Sequence, residues 1–296
     1  KEDQILLALL FILHVLPSLY VSDTKSKNNS ANLSYTEYGK GNSSKKPLIV
    51  LHGLFGSKSN WHSLAKKLAL DGRKVIAVDS RNHGESEHSS VMNYDVMATD
   101  METLLDNLNL SKVVLLGHSM GGKVVMTTAL KHPERVEGLI VVDVSPTLSS
   151  SMGLENYAKK MRDIRINQGS TLSEARKDVD CQLKSVVQSP GVRQFLLTNL
   201  IEEEGYYKWR LNLDAIIGNF QQILEFPEYN NTFDRSTLFI GGAKSEFIRG
   251  ETTPEIHRLF PKYSIEMVQD AGHWVHSEKP REFLEIVKTF LMEKNL

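Results

Sequence analysis

Residues 113–126 read VVLLGHSMGGKVVM, an apolar run, a glycine-rich turn and a helix-compatible stretch in direct succession. Val113 to Leu116 is a short apolar run of the kind buried in a parallel sheet. Gly117, His118, Ser119, Met120, Gly121 and Gly122 make a turn, and Lys123 to Leu130 is compatible with a helix. Strand, sharp turn and helix around G-x-S-x-G is the setting of a nucleophile elbow. Such a turn strains the backbone at Ser119 and holds its hydroxyl clear of the sheet. Gly117 and Gly121 let neighbouring segments pass without a Cβ clash. The helix after Ser119 aims its N–H groups and positive dipole end at developing negative charge. By chance the motif alone turns up in roughly one chain in ten of this length, so its flanks carry the inference.

Upstream, Leu33 to Gly39 alternates like an outer strand, and Pro47 to Leu51 and Lys74 to Val78 are buried strands. Asn60 to Leu70 and Tyr94 to Leu108 have helical periodicity. Downstream, Gly138 to Val142 is the next strand and ends at Asp143. This rhythm predicts an α/β chain with a mostly parallel, doubly wound sheet. Sites in such sheets lie at the C-terminal ends of the strands, where His52, Asp79 and Ser119 all fall.

From Thr147 to Arg235 the buried strand runs stop. Tyr157 to Ile166, Leu172 to Val187, Arg193 to Ile201 and Asp214 to Leu224 read as amphipathic helices. The reading is an inserted α-helical lid that excludes water and shapes an acyl pocket. Strands resume at Ser236 to Ile240 and Ser264 to Val268, with helices over Pro254 to Phe260 and Arg281 to Met292. The division expected is a core of residues 33–146 and 236–296, a lid of 147–235, and a leading segment of 1–32.

A serine needs a base. His273 lies in the loop after the last strand, and Ser, acid, His is the chain order expected here. His276 is read as a bystander of that loop. Three carboxylates could orient the imidazole: Asp143 at a strand tip, Glu246 in the loop after Ser236 to Ile240, and Asp214 in the lid. Ser245 is a candidate partner of the same histidine. The oxyanion donors expected are the backbone N–H groups of Met120 and Leu54. His52 is read as a structural loop histidine, and Asp79 to Ser86 (DSRNHGES) as a brace for the sheet top.

With a formal net charge of −1 and no dense Lys/Arg run, nucleic acid is not an expected partner. One cysteine, Cys181, excludes an intrachain disulfide and a multi-cysteine metal site. No metal and no cofactor is required. Ile5 to Val21 (ILLALLFILHVLPSLYV) is uncharged and reads as a secretory signal or membrane anchor, giving an expected membrane association through residues 5–21. Sequons at Asn28, Asn32, Asn42, Asn109 and Asn230 fit a secretory route.

HGLFGS (52–57), DSRNHGES (79–86), GHSMGGK (117–123), DVSP (143–146) and AGHWVHSEKP (271–280) together resemble the alpha/beta hydrolase domain-containing protein 11 family and its bacterial esterase relatives. The likeness covers about Leu33 to Leu296. It implies the alpha/beta hydrolase fold and a serine hydrolase acting on carboxylic esters, acylglycerols or thioesters. It carries over Ser119 and His273 as catalytic, and Asp143 from the bacterial relatives with the Ser245 position beside it. It also implies a mitochondrial setting, at odds with the apolar N-terminus. The competing readings are a non-catalytic ligand receptor on the same scaffold and an acyltransferase.

Overall fold

The computed structural model describes residues 29–41 and 44–296. The apolar stretch 5–21 and the Asn28 and Asn42 sequons lie outside the described residues, whereas Asn32, Asn109 and Asn230 are exposed. No helix among the described residues is long and apolar enough to cross a membrane.

The fully apolar runs become the inner strands: β2 (Leu48–Leu51), β3 (Val75–Val78), β4 (Val113–His118) and β5 (Val136–Val142). With β1 (Tyr35–Tyr38), β8 (Thr237–Gly242) and β9 (Tyr263–Val268) they form a seven-stranded sheet in the order β1-β3-β2-β4-β5-β8-β9. Only β1 is antiparallel to its neighbour; the other pairings are parallel.

Side chains alternate between the two faces at the period of a strand. Ile49, Leu51, Ile76, Val78, Leu115 and Val141 face one side, together with Met97 and Met101 of α2 (Tyr94–Asn107) and Val124 and Val125 of α3 (Met120–Lys131). Leu48, Val50, Val75, Leu116, Ile140 and Val142 face the other, covered by α1 (His62–Leu68) and α11 (Pro280–Glu293). Both faces are filled, as parallel strands require.

Between β5 and β8 the chain leaves the sheet. It forms α4 (Leu154–Asp163), α5 (Leu172–Leu183), α6 (Pro190–Leu197), α7 (Leu213–Gly218) and α8 (Phe220–Leu224). The expected all-helical character is corrected here. The helix anticipated over Arg193 to Ile201 ends at Leu197, and Leu200–Glu203 (β6) and Tyr206–Trp209 (β7) pair as an antiparallel hairpin. Glu204 (φ 53) and Gly205 (φ 81) are both left-handed, the backbone of a tight two-residue turn. The remaining helices are α9 (Thr253–Leu259) and α10 (Val275–Glu278).

Chain order places the site. From β2 the chain winds outward to β3, then crosses back so that β4 pairs with β2 on its other side. The loops after β2 and β4 therefore diverge at a topological switch point, the usual crevice of an open parallel sheet.

Candidate active site

The turn at the end of β4 is tighter than the six residues expected. The strand runs through His118 and α3 starts at Met120, leaving Ser119 alone between them. Its φ of 53 and ψ of −118 lie outside the common regions for an L-residue. A Cβ at Gly117 would sit 2.2 Å from the carbonyl oxygen of Gly121, so no larger residue fits at this corner.

His273 reaches Ser119 from the loop after β9. Its Nε2 is 3.0 Å from Ser119 Oγ, and its Nδ1 is 2.7 Å from Asp143 Oδ2. A carboxylate can only accept, so Nδ1 carries the proton and Nε2 faces the serine hydroxyl as acceptor. Asp143 is fully buried at the tip of β5 and also accepts from Gly242 N (3.0 Å) and Ser245 Oγ (2.5 Å). Phe247 packs on the His273 ring at 4.4 Å between centroids.

The other carboxylates are elsewhere. Glu246, 77% exposed, pairs with Arg249, and Asp214, 84% exposed, faces Arg162 at 4.0 Å. Neither hydrogen-bonds His273, because the loop after β8 turns its Glu outward and α7 presents Asp214 to solvent. Ser245 is also corrected: its hydroxyl bonds Asp143, not the histidine. His276 is no surface bystander. It is buried, stacked on Trp61 with ring centroids 4.4 Å apart.

The loop after β2 passes beside Ser119. A Cβ on Gly53 would lie 3.2 Å from Ser119 Cβ, and Leu54, Ser119 and Met120 share one cavity wall. Neutral histidines brace this loop. His52 Nδ1–H donates to Gly53 O (2.8 Å) and its Nε2 accepts from Ser80 N (3.0 Å). His83 Nδ1–H donates to Arg81 O (2.9 Å) and its Nε2 accepts from Phe55 N (3.2 Å). Burial lowers both pKa values, that of His83 to about 3. Asp79 accepts from Lys58 N, Lys58 Nζ and Glu85 N. Burial pushes its carboxyl up, but the Lys58 ammonium and the backbone donors more than offset that, and its pKa ends below the usual value.

The motif residue His118 was not singled out by sequence. Its Nε2–H donates to the carbonyl of His273 (2.9 Å), tying the elbow to the histidine loop. Burial, then His276 and His273, hold its pKa well below 6.5, so it stays neutral. The only signal available was its place inside G-x-S-x-G.

Two cavities flank the Ser119–His273 pair. One is lined by apolar and aromatic groups including Leu54, Phe55, Leu154, Tyr157, Phe195 and Trp274. The other is lined by hydroxyl groups of Ser145, Thr147, Ser149 and Ser150, with Lys244 and Met152.

A model of the alpha/beta hydrolase fold matches residues 46–280, and the chain belongs to that family. It is similar to the sn-1-specific diacylglycerol lipase ABHD11 of Danio rerio, with 48% identity over 273 residues, 91% of this chain and 86% of the relative. Esterase YbfF of Escherichia coli is 31% identical over 249 residues, 83% of this chain and 92% of that one. The structure of a marine microorganism esterase aligns with a TM-score of 0.83 at 33% identity, covering 88% of this chain and 100% of that one. The resemblance read from the motifs thus extends over most of the chain.

Proposed function

We propose that the chain is a carboxylic ester hydrolase in which Ser119 attacks the acyl carbon. The observation that carries this reading is the continuous hydrogen-bond path from Ser119 Oγ through His273 to the buried Asp143. His273 takes the hydroxyl proton as the tetrahedral intermediate forms and returns it to the leaving alcohol. Asp143 holds the Nδ1–H tautomer and stabilises the imidazolium. The N–H groups of Leu54 and Met120 hold the oxyanion, and water then cleaves the acyl-enzyme. The segment from Thr147 to Arg235 serves as a lid over this chemistry. An apolar cavity opens at Ser119 and His273, and a second, hydroxyl-bearing cavity reaches His273 from its other side, which supports an ester of an apolar acyl chain with a polar alcohol, an acylglycerol being one such substrate. The lipase and esterase names of the relatives agree with this reading.

Labelling with a fluorophosphonate probe, alongside p-nitrophenyl acetate turnover, tests it. Ser119→Ala is expected to abolish both while the thermal melt is retained. A folded variant that keeps either one refutes the nucleophile.

A further inference from the structure

Lys123 is a buried cation that the chemistry above does not use. It lies on α3, one turn after Ser119, and is 1% exposed. Its Nζ donates to three backbone carbonyls: Thr147 (2.8 Å), Leu224 (2.5 Å) and Glu225 (3.1 Å). An ammonium has three protons, and here each has an acceptor. The acceptors belong to the two stems of the segment between β5 and β8. Thr147 is on its way out from the sheet, and Leu224 is the last residue of its last helix. One side chain of the nucleophile helix therefore ties both stems together. Tyr94 of α2 adds a second tie, donating its hydroxyl to Ile223 O (2.6 Å), and the Lys123 ammonium sits 5.9 Å from that ring's centroid.

The stems close a slot behind the serine. Leu54, Val144, Leu154, Ile223 and Phe247 wall it, and Ser119 opens into it. Its free volume is about 30 Å³. A single water needs roughly 10–15 Å³ by that measure, so the slot as it stands has room for a short acyl group but not for a long tail. The apolar cavity shares Leu54, Ser119 and Leu154 with this slot, and a long tail extends from that cavity into the slot only if the stems part. We propose that Lys123 and Tyr94 form a latch on the two stems that limits the length of acyl chain admitted behind Ser119. This rests on the ester-hydrolase reading and adds to it a determinant of substrate length. A buried ammonium on carbonyls alone is a costly way to hold two segments. Burial lowers its pKa to about 7, partly restored by Glu225. Met would fill the same space but leave the Thr147, Leu224 and Glu225 carbonyls without this donor, so the stems lose their tie.

The test compares wild type with Lys123→Met and Tyr94→Phe. The ratio of kcat/KM for p-nitrophenyl laurate to that for p-nitrophenyl acetate is expected to rise about fivefold or more in the Met variant and about twofold or more in the Phe variant. If the Met variant does not fold, the Phe variant decides alone. An unchanged ratio in folded variants overturns the latch. Hydrogen exchange at Ser149, whose N–H bonds Leu224 O at 2.9 Å, reads the stems without any turnover. Faster exchange there in the variants supports the latch and unchanged exchange overturns it. Failure of wild type to cleave either ester would instead count against the hydrolase reading and leave the exchange result standing.

Discussion

Asp143 accepts three hydrogen bonds on a carboxylate that has no exposed surface. Replacing it with Asn swaps one acceptor for a donor beside Nδ1 and favours the wrong tautomer of His273. Steady-state kinetics of Asp143→Asn should show kcat lower by roughly 10³–10⁴. Glu246→Gln and Asp214→Asn should stay within about twofold of wild type, since both side chains sit in solvent pairs on the surface. The sequence offered all three because it gives strand ends but not the direction of a loop side chain. The same blindness hid His276, whose burial comes from Trp61, far away in the chain. Burial, reinforced by His273, lowers the pKa of His276 to about 3, against 6.5 unfolded. Between those values the unfolded state binds the extra proton, so stability is full above about pH 6.5 and falls as pH drops towards 3. His276→Phe should flatten that fall by about 1.4 kcal/mol per pH unit, read from denaturant midpoints at several pH values.

The elements on both sides of the elbow were legible because buried parallel strands are unbroken apolar runs and α2 and α3 keep helical periodicity. The glycines announced a close approach at this corner, but not which segment makes it. A Cβ on Gly121 would lie 2.5 Å from His52 O and 2.8 Å from Leu51 O, so α3 starts directly against the end of β2. Gly121→Ala should cost about 3 kcal/mol or more in chemical denaturation, or leave no soluble protein, since backbone on both sides must move. The hairpin of β6 and β7 went unread for the opposite reason. Its residues are mostly exposed and carry no buried run, and Glu204–Gly205 is not among the commonest turn pairs.

At the scale of the molecule, the described chain begins against the loop that braces the sheet top. Arg81 and Asp100, both about 1% exposed, pair at 2.6 Å. Arg81 also donates to Asn29 O, and Asp100 accepts from Ala31 N. Asp100→Asn leaves a guanidinium in the interior without its counter-ion, and equilibrium unfolding should report a loss of about 3–5 kcal/mol. The DSRNHGES stretch announced a dense polar loop, but nothing in its composition revealed that its Arg81 holds the backbone at Asn29. The neutral histidines around the site have a further effect. With His52, His83, His118 and His276 all kept uncharged, no imidazolium among them screens Asp143. Under the proposed chemistry, these uncharged rings set no charge of their own against a neutral ester entering beside His273.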